Sequence, residues 1–91
     1  MKEKSVKQIA ILGSTGSIGT QALDVIGRHP DKFQVEVLTA HRNADLLIRQ
    51  ALAFQPNVVV IADESQYEKV QEALAASDIK VYTGEKALSA V

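Results

Sequence analysis

The chain has 91 residues, 46% of them hydrophobic and 23% charged, with ten basic and eleven acidic side chains and a net charge of −1. That length and mix describe one small globular domain. The near-neutral balance argues against a nucleic-acid binder, and the absence of cysteine excludes a disulfide scaffold, a thiolate zinc site and a thiol nucleophile.

The first residues, Met1 to Lys7, are polar and lysine-rich. The apolar run that follows, Ile9-Ala10-Ile11-Leu12, is too short for a signal-peptide core or a membrane span, so a soluble cytoplasmic protein is expected. Residues 7–13 read as a buried strand ending at Gly13. Residues 17–29 read as a helix, with Ile18, Ala22, Val25, Ile26 and His29 recurring at helical spacing. His29-Pro30 closes it, because a residue before proline is pushed out of the helical region. Residues 34–40 read as a second strand. Asn43 to Gln55 reads as a second helix with Leu47, Ile48, Ala51 and Leu52 on one face, stopped by Pro56.

Asn57 to Ala62 is a third strand, and its apolar residues are continuous rather than alternating, as in a parallel strand covered on both faces. Asp63-Glu64-Ser65-Gln66 resembles a capping box with Asp63 as N-cap. The helix it starts carries Tyr67, Val70 and Leu74 inward and runs to about Ala76. Lys80 to Thr83 is a short fourth strand, and Gly84-Glu85 begins a last segment.

The order βαβαβαβ predicts an α/β fold: a parallel sheet with right-handed crossovers. The expected architecture is a Rossmann-like first mononucleotide-binding half with strand order 3-2-1-4 and three α/β/α layers. A full dinucleotide fold needs a second half. That half is mostly missing, so residues 1–91 are expected to be one part of a larger enzyme domain.

Between the first strand and the first helix stands Gly13-Ser14-Thr15-Gly16-Ser17-Ile18-Gly19. A glycine turn in that context can cradle a phosphate. Glycines permit the sharp turn, and they let backbone N–H groups and a helix N-terminus approach a pyrophosphate. Two residues separate Gly13 from Gly16, where the common fingerprint has one. A turn that needs glycine for shape alone is the alternative. No histidine or carboxylate stands near Ser14, Thr15 or Ser17 at a spacing that suggests a base, so these hydroxyls are expected to contact phosphate.

The end of the second strand reads Thr39-Ala40-His41-Arg42-Asn43. An NAD-preferring fold places an acid here to hold the ribose 2′-hydroxyl. This chain has no carboxylate at that place and one guanidinium, which can fork two N–H donors onto a 2′-phosphate. Glu36, the rival acid, lies mid-strand and too early. Asn43 is also the expected N-cap of the second helix. Arg42 as a solvated loop residue is the plainer alternative.

Ile11 to Gly19, followed by Leu23-Asp24-Val25 and His29-Pro30, resembles the N-terminus of the 1-deoxy-D-xylulose 5-phosphate reductoisomerases. Val37 to Asn43 is similar to that family's second-strand end, and Pro56-Asn57 fits as well. The Gly-Ser-Thr-Gly-Ser-Ile-Gly string is the specific part. The resemblance implies an NADPH-dependent enzyme that isomerises and reduces 1-deoxy-D-xylulose 5-phosphate to 2-C-methyl-D-erythritol 4-phosphate in isoprenoid precursor synthesis. It implies cofactor contacts from Thr15, Gly16, Ser17, Ile18, Arg42 and Asn43, and Gly13 and Gly19 are expected with them among the cofactor-binding residues. His41 stands where many members have glycine. It also implies a divalent metal (Mg, Mn or Co) bound outside this chain, a phosphorylated sugar substrate and a homodimer when full length. No catalytic and no metal-binding residue is expected within these 91, and no turnover by them alone. Two other readings are another NADP-dependent reductase, such as an aspartate-semialdehyde dehydrogenase-like enzyme, and a nucleotide-sensing module without chemistry.

Overall fold

Strands and helices alternate as the sequence implies. The computed structural model describes residues 6–84; the segment expected from Gly84-Glu85 onward lies outside the described residues. The elements are β1 (Lys7–Ile11), α1 (Ser17–Gly27), β2 (Phe33–Ala40), α2 (Ala44–Phe54), β3 (Val58–Ile61), a 3₁₀ turn (Glu64–Gln66), α3 (Tyr67–Ala73) and β4 (Lys80–Thr83). The first two helices end for local reasons. Arg28 and His29 close α1 by donating to the carbonyls of Val25 and Ile26, just before Pro30. Gln55 ends α2 in the left-handed region (φ 53°), immediately before Pro56.

All strand pairs are parallel, and the order is β1-β2-β3-β4. This corrects the expected 3-2-1-4. Right-handed crossovers fix which face a helix covers once the direction of each step is known, but not the direction itself. Here each crossover steps the same way. Leu23 and Ile26 of α1, Leu47 and Ala51 of α2, Val70 of α3 and Leu74 at its C-cap consequently join one core with Leu38, Val59 and Ile61 of the sheet. Among the described residues the helices form one layer on one face, where three α/β/α layers were expected.

β3 has a partner on each side, and Val59, Val60 and Ile61 are fully buried. The continuous apolar run suits that interior place. β2 carries one extra residue against β1: Ile9 pairs Val35 while Ala10 pairs Val37, which makes Glu36 a bulge. Glu36 accepts from the Asn57 backbone N–H at 3.0 Å and from its side-chain amide at 2.7 Å.

The buried face of α1 keeps Ile26 of the expected residues but not Ile18 or Val25. Gly19, Leu23 and Ile26 face the core, whereas Ile18 is 83% and Val25 53% exposed. The helix carries two adjoining apolar stripes, and docking selects the one in which Gly19, lacking a side chain, meets the turn. On α2 the buried set is Ala44, Leu47, Gln50 and Ala51, with Leu52 half exposed.

Candidate functional site

Parallel pairing brings the C-terminal ends of β1, β2 and β3 to one edge of the sheet, where such folds bind ligands. The turn after β1 is tied to the end of β2. Gly13 N–H donates to Thr39 Oγ1 at 2.8 Å, and Ser14 N–H donates to the Thr39 carbonyl at 2.7 Å. The Gly13 carbonyl accepts from Gly16 N–H at 3.1 Å, which closes the turn.

The three glycines answer to different needs. Gly13 has φ +72°, a conformation that other residues resist. Gly19 is packed so closely that a Cβ there would fall 2.7 Å from Ser14 Cα and closer still to the Gly13 carbonyl oxygen. Gly16 has ordinary extended backbone (φ −79°, ψ 175°), and a Cβ on it would meet only the Gly13 oxygen, at 3.5 Å. Shape therefore accounts for Gly13 and Gly19 and leaves Gly16 unexplained by the protein alone.

Gly16 is also the N-cap of α1. It supplies no side-chain cap, and no acid stands in the first turn. The N-terminal N–H groups of a helix, left uncapped and at the positive end of its dipole, favour an anion. The turn, the end of β1 and the start of α1 line a depression of about 510 Å³ bounded by Leu12, Gly13, Gly16, Ser17, Ile18 and Gly19. A larger depression of about 630 Å³, beside Leu74, Ile79 and Tyr82, shares no residue with it.

At the neighbouring strand end His41, Arg42 and Asn43 are exposed. Asn43 caps α2, its Oδ1 accepting from Leu46 N–H at 3.2 Å. Arg42 is in no ion pair among the described residues. Glu36 is held by Asn57 in the middle of β2, four residues before the strand's C-terminal end.

Two features were not visible from spacing. Ser14, expected to contact phosphate, is fully buried, and its hydroxyl donates to Gln50 Oε1 at 2.7 Å. Gln50 Nε2 donates back to the Ser14 carbonyl at 2.8 Å. The signal was a glutamine one turn after Leu47 and beside Ala51, on the apolar face of α2. The second feature is Asp63. Its backbone N–H donates to the His41 carbonyl at 2.8 Å, which sets it beside Arg42. Hydrogen bonds from the Ser65 hydroxyl and N–H hold its carboxyl below the usual range, and the Arg42 and His41 charges add to this. An acid absent from the end of β2 thus arrives from β3.

The described helices include none long and apolar enough to cross a membrane. Among the described residues no group of three or more His, Cys, Asp or Glu is placed to hold a metal ion.

The chain matches the family described as 1-deoxy-D-xylulose 5-phosphate reductoisomerase over residues 9–91. It is 58% identical over 85 residues to the 1-deoxy-D-xylulose 5-phosphate reductoisomerase of Phocaeicola vulgatus, covering 93% of this chain and 22% of that protein. The fold is similar to the reductoisomerase of Zymomonas mobilis in complex with NADPH, with a TM-score of 0.89 and 42% identity over 92% of this chain and 22% of that one. A reductoisomerase in complex with NADPH, fosmidomycin and magnesium gives a TM-score of 0.85 at 29% identity, covering 91% of this chain and 21% of that one. The chain thus spans about a fifth of the length of the relatives it matches.

Proposed function

Since the chain belongs to the 1-deoxy-D-xylulose 5-phosphate reductoisomerase family, we propose that residues 1–91 are the N-terminal part of its NADP-binding domain. They hold the adenosine 2′-phosphate and pyrophosphate of NADPH for an enzyme that isomerises and reduces 1-deoxy-D-xylulose 5-phosphate. The observation that carries this is Gly16: a glycine with ordinary backbone and room for a Cβ, at an uncapped helix start. A side chain there would occupy the space a phosphate needs.

In this reading Gly13 and Gly19 shape the turn, the N–H groups of Thr15, Ser17 and Ile18 face the pyrophosphate, and Gly16, whose own N–H is taken by the Gly13 carbonyl, contributes the room for it. The N–H dipoles are fixed by the fold, so little reorganisation accompanies binding. Arg42 supplies charge-assisted hydrogen bonds to the 2′-phosphate, and the Asn43 amide can donate beside it while its oxygen caps α2. Asp63, an anion beside Arg42, tempers the positive charge so that the loop does not attract every anion. NADPH, when bound, supplies the hydride for the reduction.

The chemistry and the substrate belong to the rest of the protein. The donor set described does not suit a divalent metal, and no step is assigned to one in this chain. The metal and the phosphorylated sugar are bound by residues beyond those described. The whole protein acts as a cytoplasmic homodimer.

Calorimetric titration with 2′,5′-ADP and 5′-AMP tests the cofactor. The 2′-phosphorylated nucleotide should bind about ten- to a hundredfold more tightly, the size of a hydrogen bond to a charged group. Arg42→Ala should remove that difference and leave 5′-AMP binding unchanged. Equal affinities in the unmutated, folded protein would sink the NADP assignment.

A further inference from the structure

We propose that Gln50 is a positioning residue for the cofactor's pyrophosphate, acting from α2 through Ser14. The proposal rests on the NADPH reading and adds a residue that touches no ligand.

The argument concerns carbonyls. A phosphate-binding turn must present N–H groups to the anion and keep its C=O groups away, because a carbonyl oxygen facing a phosphate repels it. In this turn the Gly13 carbonyl is occupied by Gly16 N–H. The Ser14 carbonyl has no such local partner. It is held inward by Gln50 Nε2 at 2.8 Å, while the Ser14 hydroxyl donates to Gln50 Oε1 at 2.7 Å. Both bonds are buried, with Ser14 fully so and Gln50 8% exposed. The two bonds form a closed ring between residues 36 apart in sequence.

Thr39 completes the arrangement from the other side by taking the N–H groups of Gly13 and Ser14. With residue 14 bonded at N–H, C=O and hydroxyl, the peptide that follows it has one orientation. Without Gln50, a buried carbonyl loses its partner, and the turn can recover one by rotating that peptide toward water, which is also toward the pyrophosphate. Gln50 thereby selects the conformer in which the turn offers donors.

Gln50 lies two turns beyond Asn43 on the same helix, and the 2′-phosphate end of the site precedes Asn43. The two ends of the nucleotide can therefore be probed apart. NADPH reports on the whole site, and 2′-AMP, which has no pyrophosphate, reports on the Arg42 end alone.

The test measures the affinity of NADPH and of 2′-AMP, with the melting temperature, in the intact protein and in Gln50→Glu, Gln50→Met and Ser14→Ala. Gln50→Glu keeps an acceptor for the Ser14 hydroxyl but loses the donor to the carbonyl. Both Gln50 variants should weaken NADPH about tenfold or more, the scale of one buried carbonyl losing its partner, and leave 2′-AMP within about twofold. Ser14→Ala, which keeps the carbonyl bond, should weaken NADPH by less than either.

Unchanged NADPH affinity in a folded Gln50 variant would overturn the proposal while leaving the nucleotide reading intact. So would equal weakening of both nucleotides, the signature of a general loss of structure. If both Gln50 variants unfold at every temperature, the pair is a folding determinant and the proposal fails. If the unmutated protein binds 2′-AMP and NADPH no better than 5′-AMP, the nucleotide reading falls and this inference with it.

Discussion

Gly19→Ala is expected to lower the melting temperature by about 10 °C or more, the largest loss of stability of any single glycine change in this chain. The added methyl has nowhere to go. It would lie 2.7 Å from Ser14 Cα and 3.0 Å from the Gly13 carbonyl carbon, with the Gly13 oxygen nearer still. These are backbone atoms, and residues 13 and 14 are anchored on Thr39 and Gln50. To make room, α1 must move off the turn and take Leu23 and Ile26 out of the core. Overpacking of this kind costs about 1–3 kcal/mol and sometimes more. A domain of this size has only about 5–10 kcal/mol in reserve. Thermal melts followed by circular dichroism check it; a melting temperature within about 2 °C of the unmutated protein would show that the close approach at Gly19 is not needed.

Gly16→Val is the complementary case. Its backbone suits any residue, and a Cβ would make an ordinary 3.5 Å contact. Fold stability should stay within about 1 kcal/mol, helped by the smaller conformational freedom of the unfolded chain. NADPH affinity should nevertheless fall about a hundredfold or more, because the side chain projects into the depression at the start of α1. Calorimetry and melting on the same samples separate the two effects. If stability drops and the folded fraction still binds NADPH, the turn needs Gly16 for shape and the phosphate reading is wrong.

The two glycines show how far sequence reasoning reaches. Three glycines in a string predict a tight turn between strand and helix, and the turn is there. Which glycine serves packing and which serves a ligand depends on the surroundings of each Cβ. For Gly19 those surroundings are Gly13 and Ser14, set by the angle at which α1 leaves the strand. The same limit explains α1. Its periodicity revealed an amphipathic helix but offered two apolar stripes; of the expected residues Ile26 is buried, whereas Ile18 and Val25 are exposed.

The strand order carries a sharper lesson. In the expected 3-2-1-4 arrangement β3 would lie at an edge, and its run Val58-Val59-Val60-Ile61 is the most continuously apolar of the four. That run speaks to cover on the two faces of a strand and not to its lateral partners, so it left the order open; in the structure β2 and β4 flank β3.

The sequence by itself determined the alternation of elements, the glycine turn and the basic, acid-free end of the second strand. Each is written in a few consecutive residues through periodicity, allowed backbone angles and capping. The family, too, was legible, because the turn and the strand end together form a specific string. The tertiary structure alone decided the strand order, the single helical layer, the withdrawal of Ser14 from the site, its bonding to Gln50 and the arrival of Asp63 beside Arg42. These depend on contacts between residues 21 to 36 apart, such as Arg42 with Asp63 and Ser14 with Gln50. Such pairs meet only after the crossovers have chosen their direction and the helices have docked, and no local propensity encodes that choice.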